Sequence, residues 1–562
     1  EDELGRKKLP FDGSFKDHYT TAWDHFVAYN IIDVGLVKGL DDKMQLVALA
    51  LTVAYASKIV PDEVFSQIAS WDSLIYNYLK EQNIVIPNKK HNHRSQFEGA
   101  YVKDPIAGKH NWIVSFDLQS LYPHLMMWAN ISPETITNTV LNVNVEGLLA
   151  KKYDLDELAA NNLSMTANGI TYRKDIRGFI PKLMDKFYSD RSTVKKQMLK
   201  VEQEYANTKN DRLQSEIARL NNKQMAIKIM INSVYGAMGS PFFRYYDLRM
   251  AEGITTSGQL AIRWVSQDVN NALNKVLGTN NVDYVVYNDT DSAYFVLEEV
   301  VNRSKYKDAS KEEIVKFLDK FCEDVLQKLI NKSYENLKDY VNAYEQRLIM
   351  KREVIADVGV FVAKKRYALS VYNSEGVQYK EPKIKVTGLE LVRSSTPRVV
   401  RDVLKKGVKE VLYKDEAAVQ EFIANFKSTY MTYSVEEIAF PRGVNGVMKY
   451  SSTGPNLYKD RTPMHVRAAL LFNAQIEKRK LTHLHQPIKD GNKIKFVYLK
   501  LPNTLHEDVI GFVDTLPKEF KLDTYVDKER MFETSFVNAM QSLMDPLGWS
   551  PEPKASLDSF FF

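Results

Sequence analysis

At 562 residues the chain is too long for one compact core, so several lobes are expected. Hydrophobic residues make up 44% and charged residues 26%, as in ordinary globular proteins, and the net charge of +5 is compatible with a nucleic-acid partner without indicating one. The single cysteine, Cys322, excludes an intrachain disulfide and a cysteine zinc site, and the longest apolar run, 46–56, is too short to span a bilayer.

The first hundred residues predict helices. Pro61 follows the apolar run at 46–56 and Pro87 follows a second stretch around 71–79, and prolines end helices. Before them, Tyr29 and Asp33 lie one helical turn apart, a spacing that is typical of any helix surface. The chain begins with Glu1 rather than Met, which indicates a processed or partial polypeptide.

A carboxylate ends the first strongly β-rich run. The apolar sequence from Trp112 to Phe116 stops at Asp117, and Pro123 starts a new element. A carboxylate at the end of a buried strand is costly unless it is paired or bound to metal. Asp117 is therefore expected to be paired or to share a metal ion with a second acidic site.

The second acidic site is the stretch 283–296, DYVVYNDTDSAYFV. Two apolar runs flank a polar turn, which predicts a β-hairpin with carboxylates at its tip. Asp289 and Asp291 share one side of an extended chain and repel each other unless a cation lies between them. Asp117 and Asp291 together could hold two Mg²⁺ ions, the arrangement that serves in-line phosphoryl transfer. A solvated polar turn is the alternative.

Residues 187–236 predict a helical hairpin with a polar break at 207–210. Arg191 and Lys195 lie at i,i+4 on the first arm, and the second arm repeats polar and aromatic residues at helical spacing, namely Lys228, Asn232 and Tyr235. Such charges are usually a solvated helix face. Beside a two-metal site, however, a cationic face suits a triphosphate.

Two later segments suggest further contacts. Lys364, Lys365, Arg366 and Tyr367 lie inside β-rich sequence, where a basic cluster suits a phosphate backbone. The end of the chain is proline-rich and then carries Leu557, Phe560 and Phe561. This tail either folds onto its own chain or, as the spacer favours, docks into a partner's pocket.

Four motifs in this order resemble family B DNA polymerases. They are Asp117-x-x-Ser120-Leu121-Tyr122-Pro123, Lys228-x-x-x-Asn232-Ser233-x-Tyr235-Gly236, Tyr287-Asn288-Asp289-Thr290-Asp291-Ser292 and Lys364-Lys365-Arg366-Tyr367. The segments 130–135 and 243–249 resemble the replicative members from T-even-type bacteriophages. The resemblance is thin over 136–180 and 400–545.

The resemblance implies a role for each motif residue. The catalytic carboxylates would be Asp117, Asp291 and, less directly, Asp289, with Glu353 in support. Two Mg²⁺ ions, which Mn²⁺ can replace, would bind Asp117, the Leu118 carbonyl and Asp291. The nucleotide-binding residues would be Leu118, Ser120, Leu121, Tyr122, Arg191, Lys195, Lys228, Asn232, Tyr235 and Gly236. The primer-template would contact Lys364, Lys365, Arg366 and Tyr367, and a sliding clamp would bind Leu557, Phe560 and Phe561.

The implied fold is α+β, a right hand with an antiparallel-sheet palm, helical-hairpin fingers and a thumb. The domains would be an exonuclease remnant at 1–40, linker helices at 41–100, palm at 101–186, fingers at 187–236, palm again at 237–390, thumb at 391–550 and a clamp-binding tail at 551–562.

The sequence departs from the family in three places. Asn288 stands where the family usually has Gly, and we expect Asn to tolerate a left-handed turn there. His124 stands where a small Ser is common. Tyr29 to Asp33 resembles the last of three proofreading exonuclease motifs, but the first two are missing. The exonuclease is therefore expected either on a separate chain or removed from this one.

The implied function is template-directed DNA synthesis in phage replication, in the cytoplasm of a bacterial host. Its partners would be primer-template DNA, dNTPs, a sliding clamp and, under one alternative, a separate exonuclease-bearing chain; no membrane partner is expected. A catalytically silent DNA-binding scaffold is the rival from another class, and the intact Asp117, Asp291 and Lys228 argue against it. A protein-primed polymerase is the rival within the class, but its extra insertions have no obvious counterpart here.

Overall fold

The computed structural model describes residues 4–6, 8–9, 15–93, 95–210, 212–452 and 456–553. Its α-helices are α1 Phe15–Thr21, α2 Trp23–Met44, α3 Leu46–Ser57, α4 Gln67–Glu81, α5 Leu121–Ala129, α6 Val145–Leu149, α7 Asp156–Ala160, α8 Phe179–Thr208, α9 Arg212–Met238, α10 Leu248–Leu277, α11 Glu298–Asn302, α12 Lys311–Phe321, α13 Gln327–Tyr340, α14 Arg398–Tyr413, α15 Glu416–Tyr430, α16 Val435–Ile438, α17 Val447–Tyr450, α18 Met464–Lys478, α19 Lys528–Phe532 and α20 Asn538–Met544.

The strands are β1 Gly108–Leu118, β2 Ile136–Val140, β3 Leu163–Met165, β4 Ile170–Arg173, β5 Val285–Asp289, β6 Ser292–Val296, β7 Met350–Ala363, β8 Arg366–Ser374, β9 Val377–Thr387, β10 Phe440–Gly443, β11 Lys493–Tyr498 and β12 Val509–Phe512. The predicted mixture of helices with antiparallel sheet is confirmed. None of the described helices is both long and apolar enough to cross a membrane.

A six-stranded sheet in the order β5-β6-β1-β7-β8-β9 forms the centre of the molecule. Strand β1 lies inside it and pairs antiparallel with β6 and β7. Its Ile113, Val114 and Phe116 are fully buried, as the apolar and β-branched sequence predicts. The end of β1 therefore places Asp117 between two neighbouring strands.

Two large apolar cores divide the described chain. The first joins α4, β1, α5, α8, α9, α10 and α13, and the second joins the far half of β7 to α14, α15, α18 and the sheet β10-β11-β12. A smaller aromatic cluster, which contains Tyr287, Tyr294 and Tyr367, lies behind the β5–β6 hairpin. The cores meet at the central sheet, so the sheet is the common frame for both.

The predicted helical hairpin is α8 and α9, and its break falls where the sequence predicts it. Lys209, with a φ of 53°, ends α8 in a left-handed conformation. The first arm, however, begins at Phe179 and not at 187. Pro181 lies in the first turn, where a helix tolerates proline, and Ile180 and Met184 are fully buried in the first core.

The apolar positions of 311–344 repeat with a helical period, which predicts a helix with Val325 on its buried face, but the helix is interrupted by a π-helical turn at Cys322–Leu326. The extra residue in this wider turn shifts the buried stripe by one position. Leu326 is consequently buried, whereas Val325, which the periodicity placed in the core, is 47% exposed.

Candidate active site

The β5–β6 hairpin has a turn of two residues, Thr290 and Asp291. Thr290 adopts the left-handed conformation, with a φ of 59°, and its amide donates to the Tyr101 carbonyl at 2.9 Å. The hairpin survives with Asn288 where the family usually has Gly, although Asn288 itself does not adopt the left-handed conformation. Asn288 lies in β5, is buried, and its side-chain amide donates to the Ser266 hydroxyl at 3.1 Å.

The structure brings Asp117 and Asp291 together across neighbouring strands. Asp117 pairs with Ser292 in the β1–β6 register, and the buried Leu118 donates its amide to the Asp291 carbonyl at 2.8 Å. Burial, followed by the Asp291 charge, raises the pKa of Asp117 to about 7. Burial also raises the pKa of Asp291 to about 6, with the charges of Asp289 and Glu353 adding to it. Both carboxylates therefore keep their protons to a higher pH than an ordinary aspartate does.

Glu353 reaches the same place because of a β-bulge. Ser115 pairs with Val354 and Phe116 with Arg352, so Glu353 is the extra residue of β7. One of its carboxylate oxygens forms an ion pair with Lys385 at 2.8 Å. Its charge contributes to the raised pKa values of both aspartates.

Asp289 faces a different group. Its carboxylate lies 3.4 Å from the Lys365 ammonium and accepts a hydrogen bond of 3.4 Å from the Tyr287 hydroxyl. The structure therefore places Asp289 toward the β7–β8 turn, where it links the hairpin to the basic motif.

The Asp117–Asp291 pair fits divalent cations. Within the described ranges, no three His, Cys, Asp or Glu side chains form a metal site by themselves. Mg²⁺ commonly binds through one or two carboxylates plus substrate phosphates, without an all-protein cage. Both half-buried carboxylates have a raised pKa, from burial and from neighbouring carboxylate charges, and a cation would relieve it, so the chemistry of this donor pair suits Mg²⁺.

A cavity of about 1110 Å³ opens beside Asp117 and is lined by charged side chains of both signs, among them two cations of α8. Ser120, Arg191 and Lys195 all line it. The Arg191 Nε is buried and has no hydrogen-bond partner among the described residues. An unpartnered guanidinium donor in a polar cavity is suited to an anionic ligand.

The residues predicted on α9 lie outside that cavity. Lys228, Asn232 and Gly236 form an exposed stripe, and Tyr235 is half-buried. The Tyr235 ring contacts Tyr122, with ring centroids 4.4 Å apart. Tyr122 in turn packs on Gly258 of α10, where a Cβ would approach its ring to 3.5 Å. The aromatic contact therefore joins α5 to α9, while Leu121 is buried beneath it.

The basic motif forms the tight turn between β7 and β8. Lys364 and Lys365 are exposed at this turn, where Ala363 pairs with Arg366. Arg366 forms an ion pair with Glu390 at 2.9 Å. Tyr367 is buried, and its hydroxyl lies 2.8 Å from the Tyr294 hydroxyl. The two lysines are thus open to a ligand, and the other two residues hold the turn.

Sequence reasoning missed several groups of the cavity. Tyr188, Arg352 and Gln119 line it together with the predicted residues. Tyr188 lies one turn before Arg191 on α8, a spacing that could have identified it. Arg352 faces the cavity only through the strand register. The predicted clamp-binding residues Leu557, Phe560 and Phe561 lie outside the described residues.

Tyr29 and Asp33 lie on α2, where Asp33 forms an ion pair of 2.9 Å with Lys8. They are far along the chain from the carboxylate pair, and α2 buries none of its residues.

The cavity beside Asp117 is lined by cations of α8, and the turn with Asp291 and the exposed basic turn lie on the same sheet, which is typical of an enzyme that handles phosphates. The family model for DNA polymerase family B matches residues 66–527. The chain belongs to DNA polymerase family B, and it is accordingly an enzyme of the DNA-directed DNA polymerase class.

The relatives include two phage enzymes. The DNA-directed DNA polymerase of Enterobacteria phage T4 is 32% identical over 619 aligned residues, and that of Escherichia phage RB69 is 31% identical over 619. In both cases the alignment covers 100% of this chain and 67% of the relative. DNA polymerase 1 of Pyrococcus abyssi (strain GE5 / Orsay) is 26% identical over 482 residues, which cover 84% of this chain and 51% of the relative.

Proposed function

We propose that the chain adds deoxynucleotides to a DNA primer by two-metal phosphoryl transfer, in phage DNA replication in the host cytoplasm. The single observation that carries the mechanism is that Asp117, which adjoins Asp291 through the β1–β6 pairing, lines the same cavity as Arg191 and Lys195. Carboxylates beside the cations Arg191 and Lys195 suit a metal-bound triphosphate and do not suit a neutral substrate.

In this proposal each residue has a defined task. When bound by Asp117, the Leu118 carbonyl and Asp291, Mg²⁺ supplies activation of the primer 3′-hydroxyl and neutralisation of the leaving pyrophosphate. Arg191 and Lys195 bind the triphosphate through charge-assisted hydrogen bonds. The chain thereby holds the α-phosphate in line with the attacking oxygen.

The remaining motif residues select and orient the substrate. Tyr122 lies under the sugar and excludes a 2′-hydroxyl, while Tyr235 and Gly236 face the nascent base pair. Lys228 and Asn232, exposed on α9, reach the triphosphate when the helical hairpin closes on it. Their exposure outside the cavity supports such a movement.

In this proposal the architecture is a right hand. The six-stranded sheet would be the palm, α8 and α9 the fingers, and the second core from α14 onward the thumb. The exposed Lys364 and Lys365 turn would grip the duplex backbone next to the catalytic hairpin, a placement supported by the Lys365–Asp289 contact. The tail at 551–562 would bind a sliding clamp.

Proofreading would reside in a further folded domain. Helices α2 and α3 expose several large apolar side chains, which include Val34 (63% exposed), Val37 (69%) and Tyr55 (90%). Exposed apolar side chains concentrated on two consecutive helices favour an interaction face. We propose that this face receives an exonuclease-bearing domain, on a separate chain or on the same polypeptide, and that the described residues alone do not proofread.

Primer extension with Mg²⁺ and four dNTPs, on matched and 3′-mismatched primers, tests the proposal. The unmodified chain should extend matched primers and leave mismatched primers unshortened. Asp291→Asn should reduce synthesis by about 1,000-fold or more, because one metal ligand is lost, and should leave DNA binding largely intact. Asp175→Asn, at an exposed ion pair with Arg173, is the matched control and should extend normally.

Loss of synthesis in the unmodified chain with DNA still bound would contradict the proposal and support a scaffold function. Shortening of the mismatched primer by this chain alone would contradict the assignment of proofreading to a further domain.

A further inference from the structure

Two buried polar atoms on the same face of α8 have no hydrogen-bond partner among the described residues. They are the Tyr188 hydroxyl and the Arg191 Nε. Both residues line the cavity beside Asp117 and lie one helical turn apart. An unsatisfied buried polar group is costly, so two neighbouring ones call for a common ligand.

The Tyr188 ring packs against the His124 ring. The two rings stack, with centroids 4.8 Å apart and planes inclined by 22°. His124 belongs to α5, the helix that follows Asp117, and is only 7% exposed. The stack therefore connects the strand end that carries Asp117 to the helix that carries Arg191.

The orientation of the His124 ring is set by one hydrogen bond. Its Nδ1 contacts the Gln119 carbonyl, which can only accept, so Nδ1 carries the proton. Burial lowers the pKa of His124, which keeps the ring neutral at pH 7. The ring is thus held in one tautomer and one plane against Tyr188.

The first turns of α8 are independently anchored. Asp185 forms ion pairs with Arg177 and, at 2.7 Å, with Arg347. Tyr188 is the next side chain on this face after that anchor, at i+3. Burial raises the pKa of Tyr188, and the nearby Ser120 partly offsets this effect. No described group lies in hydrogen-bonding geometry to the Tyr188 hydroxyl.

We propose that Tyr188 is a further ligand of the nucleotide triphosphate, next to Arg191, and that His124 is the residue that positions it. The proposal rests on the polymerase function above and names an additional part of its substrate site. A phosphate oxygen accepts hydrogen bonds from both orphaned donors and removes the cost of leaving them unpaired. Both atoms have almost no accessible surface, so a phosphate reaches them through a local movement of the side chains that line the cavity.

Tyr188→Phe tests the hydroxyl alone, because the ring and its stack on His124 remain. The KM for dNTP should rise about tenfold, the loss of one hydrogen bond to a charged group, with kcat nearly unchanged. Tyr205→Phe is the matched control, since that tyrosine lies at the far end of α8 and its hydroxyl accepts from Gln214 at 2.7 Å. Its KM should equal that of the unmodified chain.

A second readout does not depend on turnover. With a dideoxy-terminated primer, the dNTP concentration that half-saturates the chain–DNA–dNTP complex should rise by the same factor in Tyr188→Phe. DNA affinity without nucleotide should stay constant. An unchanged KM and an unchanged half-saturation in Tyr188→Phe would overturn the assignment of the hydroxyl.

Two His124 variants separate its ring from its hydrogen bond. His124→Asn keeps a donor to Gln119 without the stack, and His124→Phe keeps the stack without the donor. We expect His124→Asn to raise the KM for dNTP about as much as Tyr188→Phe does. His124→Phe should retain most of the dNTP affinity of the unmodified chain. In the Tyr188→Phe background, His124→Asn should add little, because both changes act through one hydroxyl.

Additive effects of the two substitutions would overturn the positioning role of His124. These failures are distinguishable from failure of the polymerase function, because they are measured against an unmodified chain that extends primers. Absence of extension by that chain would instead contradict the proposed function itself.

Discussion

At the scale of single residues, the carboxylate pair sets the electrostatics of the site. Asp117 and Asp291 have raised pKa values because burial disfavours their charged forms, and neighbouring carboxylates add to this effect: Asp291 and Glu353 for Asp117, and Asp289 and Glu353 for Asp291. Glu353 adds to that repulsion only because a β-bulge turns it into the site. The charged forms of these carboxylates are therefore disfavoured near neutral pH, and a bound cation would stabilise them.

The raised pKa values predict a pH dependence of stability. Between the ordinary value of 3.8 and about 7, the folded chain binds more protons at Asp117 than the unfolded chain does, so its stability falls as pH rises through this window. An asparagine side chain does not ionise, so Asp117→Asn removes this fall in stability with rising pH. With EDTA present, the variant should unfold at a higher temperature than the unmodified chain at pH 8, and the difference should shrink toward pH 4.

Calorimetry at the two pH values checks this prediction, and added Mg²⁺ is its control. Mg²⁺ should raise the midpoint of the unmodified chain at pH 8 more than that of Asp117→Asn. Equal midpoints for the two proteins at pH 8 would contradict the raised pKa.

Tyr122 is predicted to discriminate against ribonucleotides. Its ring is held between Tyr235 and Gly258, so it presents a fixed surface to the sugar. Tyr122→Ala should raise ribonucleotide incorporation relative to deoxynucleotide incorporation by about 10-fold or more. The ratio of kcat/KM for the two substrates measures it, and Tyr122→Phe, which keeps the ring, should retain discrimination. Unchanged sugar selection in Tyr122→Ala would remove the residue from this role.

At the scale of elements, the β7–β8 turn depends on a glycine from another segment. Gly388 has a φ of +66°, and a Cβ there would approach the Lys365 carbonyl oxygen to 2.0 Å. Gly388→Ala should therefore displace the turn that carries Lys364 and Lys365. We expect a loss of primer-template affinity of about tenfold and a shallower dependence of affinity on salt.

Gly278→Ala is the control for backbone strain, because Gly278 has a similar φ of +60° and would meet no atom within 4 Å. DNA binding by that variant, measured over a range of salt concentrations, should match the unmodified chain. If Gly388→Ala also matched it, the turn would not contribute to DNA binding.

At the scale of the whole molecule, a polar network around one buried carboxylate joins the two cores. Asp357 of β7 is 5% exposed, pairs with Lys311 at 2.6 Å and accepts hydrogen bonds of 3.1 Å from the Tyr413 hydroxyl. Tyr413 belongs to α14, in the second core region. The relative position of the two cores therefore depends on a satisfied buried charge.

Tyr413→Phe should loosen this junction. It removes one donor to a buried carboxylate, which should lower the free energy of unfolding by about 2 kcal/mol. Thermal or urea unfolding measures the change, and Tyr55→Phe, at a side chain that is 90% exposed, should have no effect. A Tyr413→Phe midpoint equal to that of the control would show that Lys311 alone satisfies Asp357.

The local sequence by itself determined the strand that ends at Asp117, the hairpin that carries Asp291 and the two long helices that carry the cations. Apolar patterning and turn residues act over a few positions, so these features follow from neighbouring residues. Only the tertiary structure decided that Glu353 enters the site through a bulge, that Thr290 and not Asn288 takes the left-handed turn, and that a π-helical turn moves Val325 to the surface. It also decided that His124 stacks on Tyr188. Each of these depends on strand register, helix phase or packing between distant segments, which no local pattern specifies.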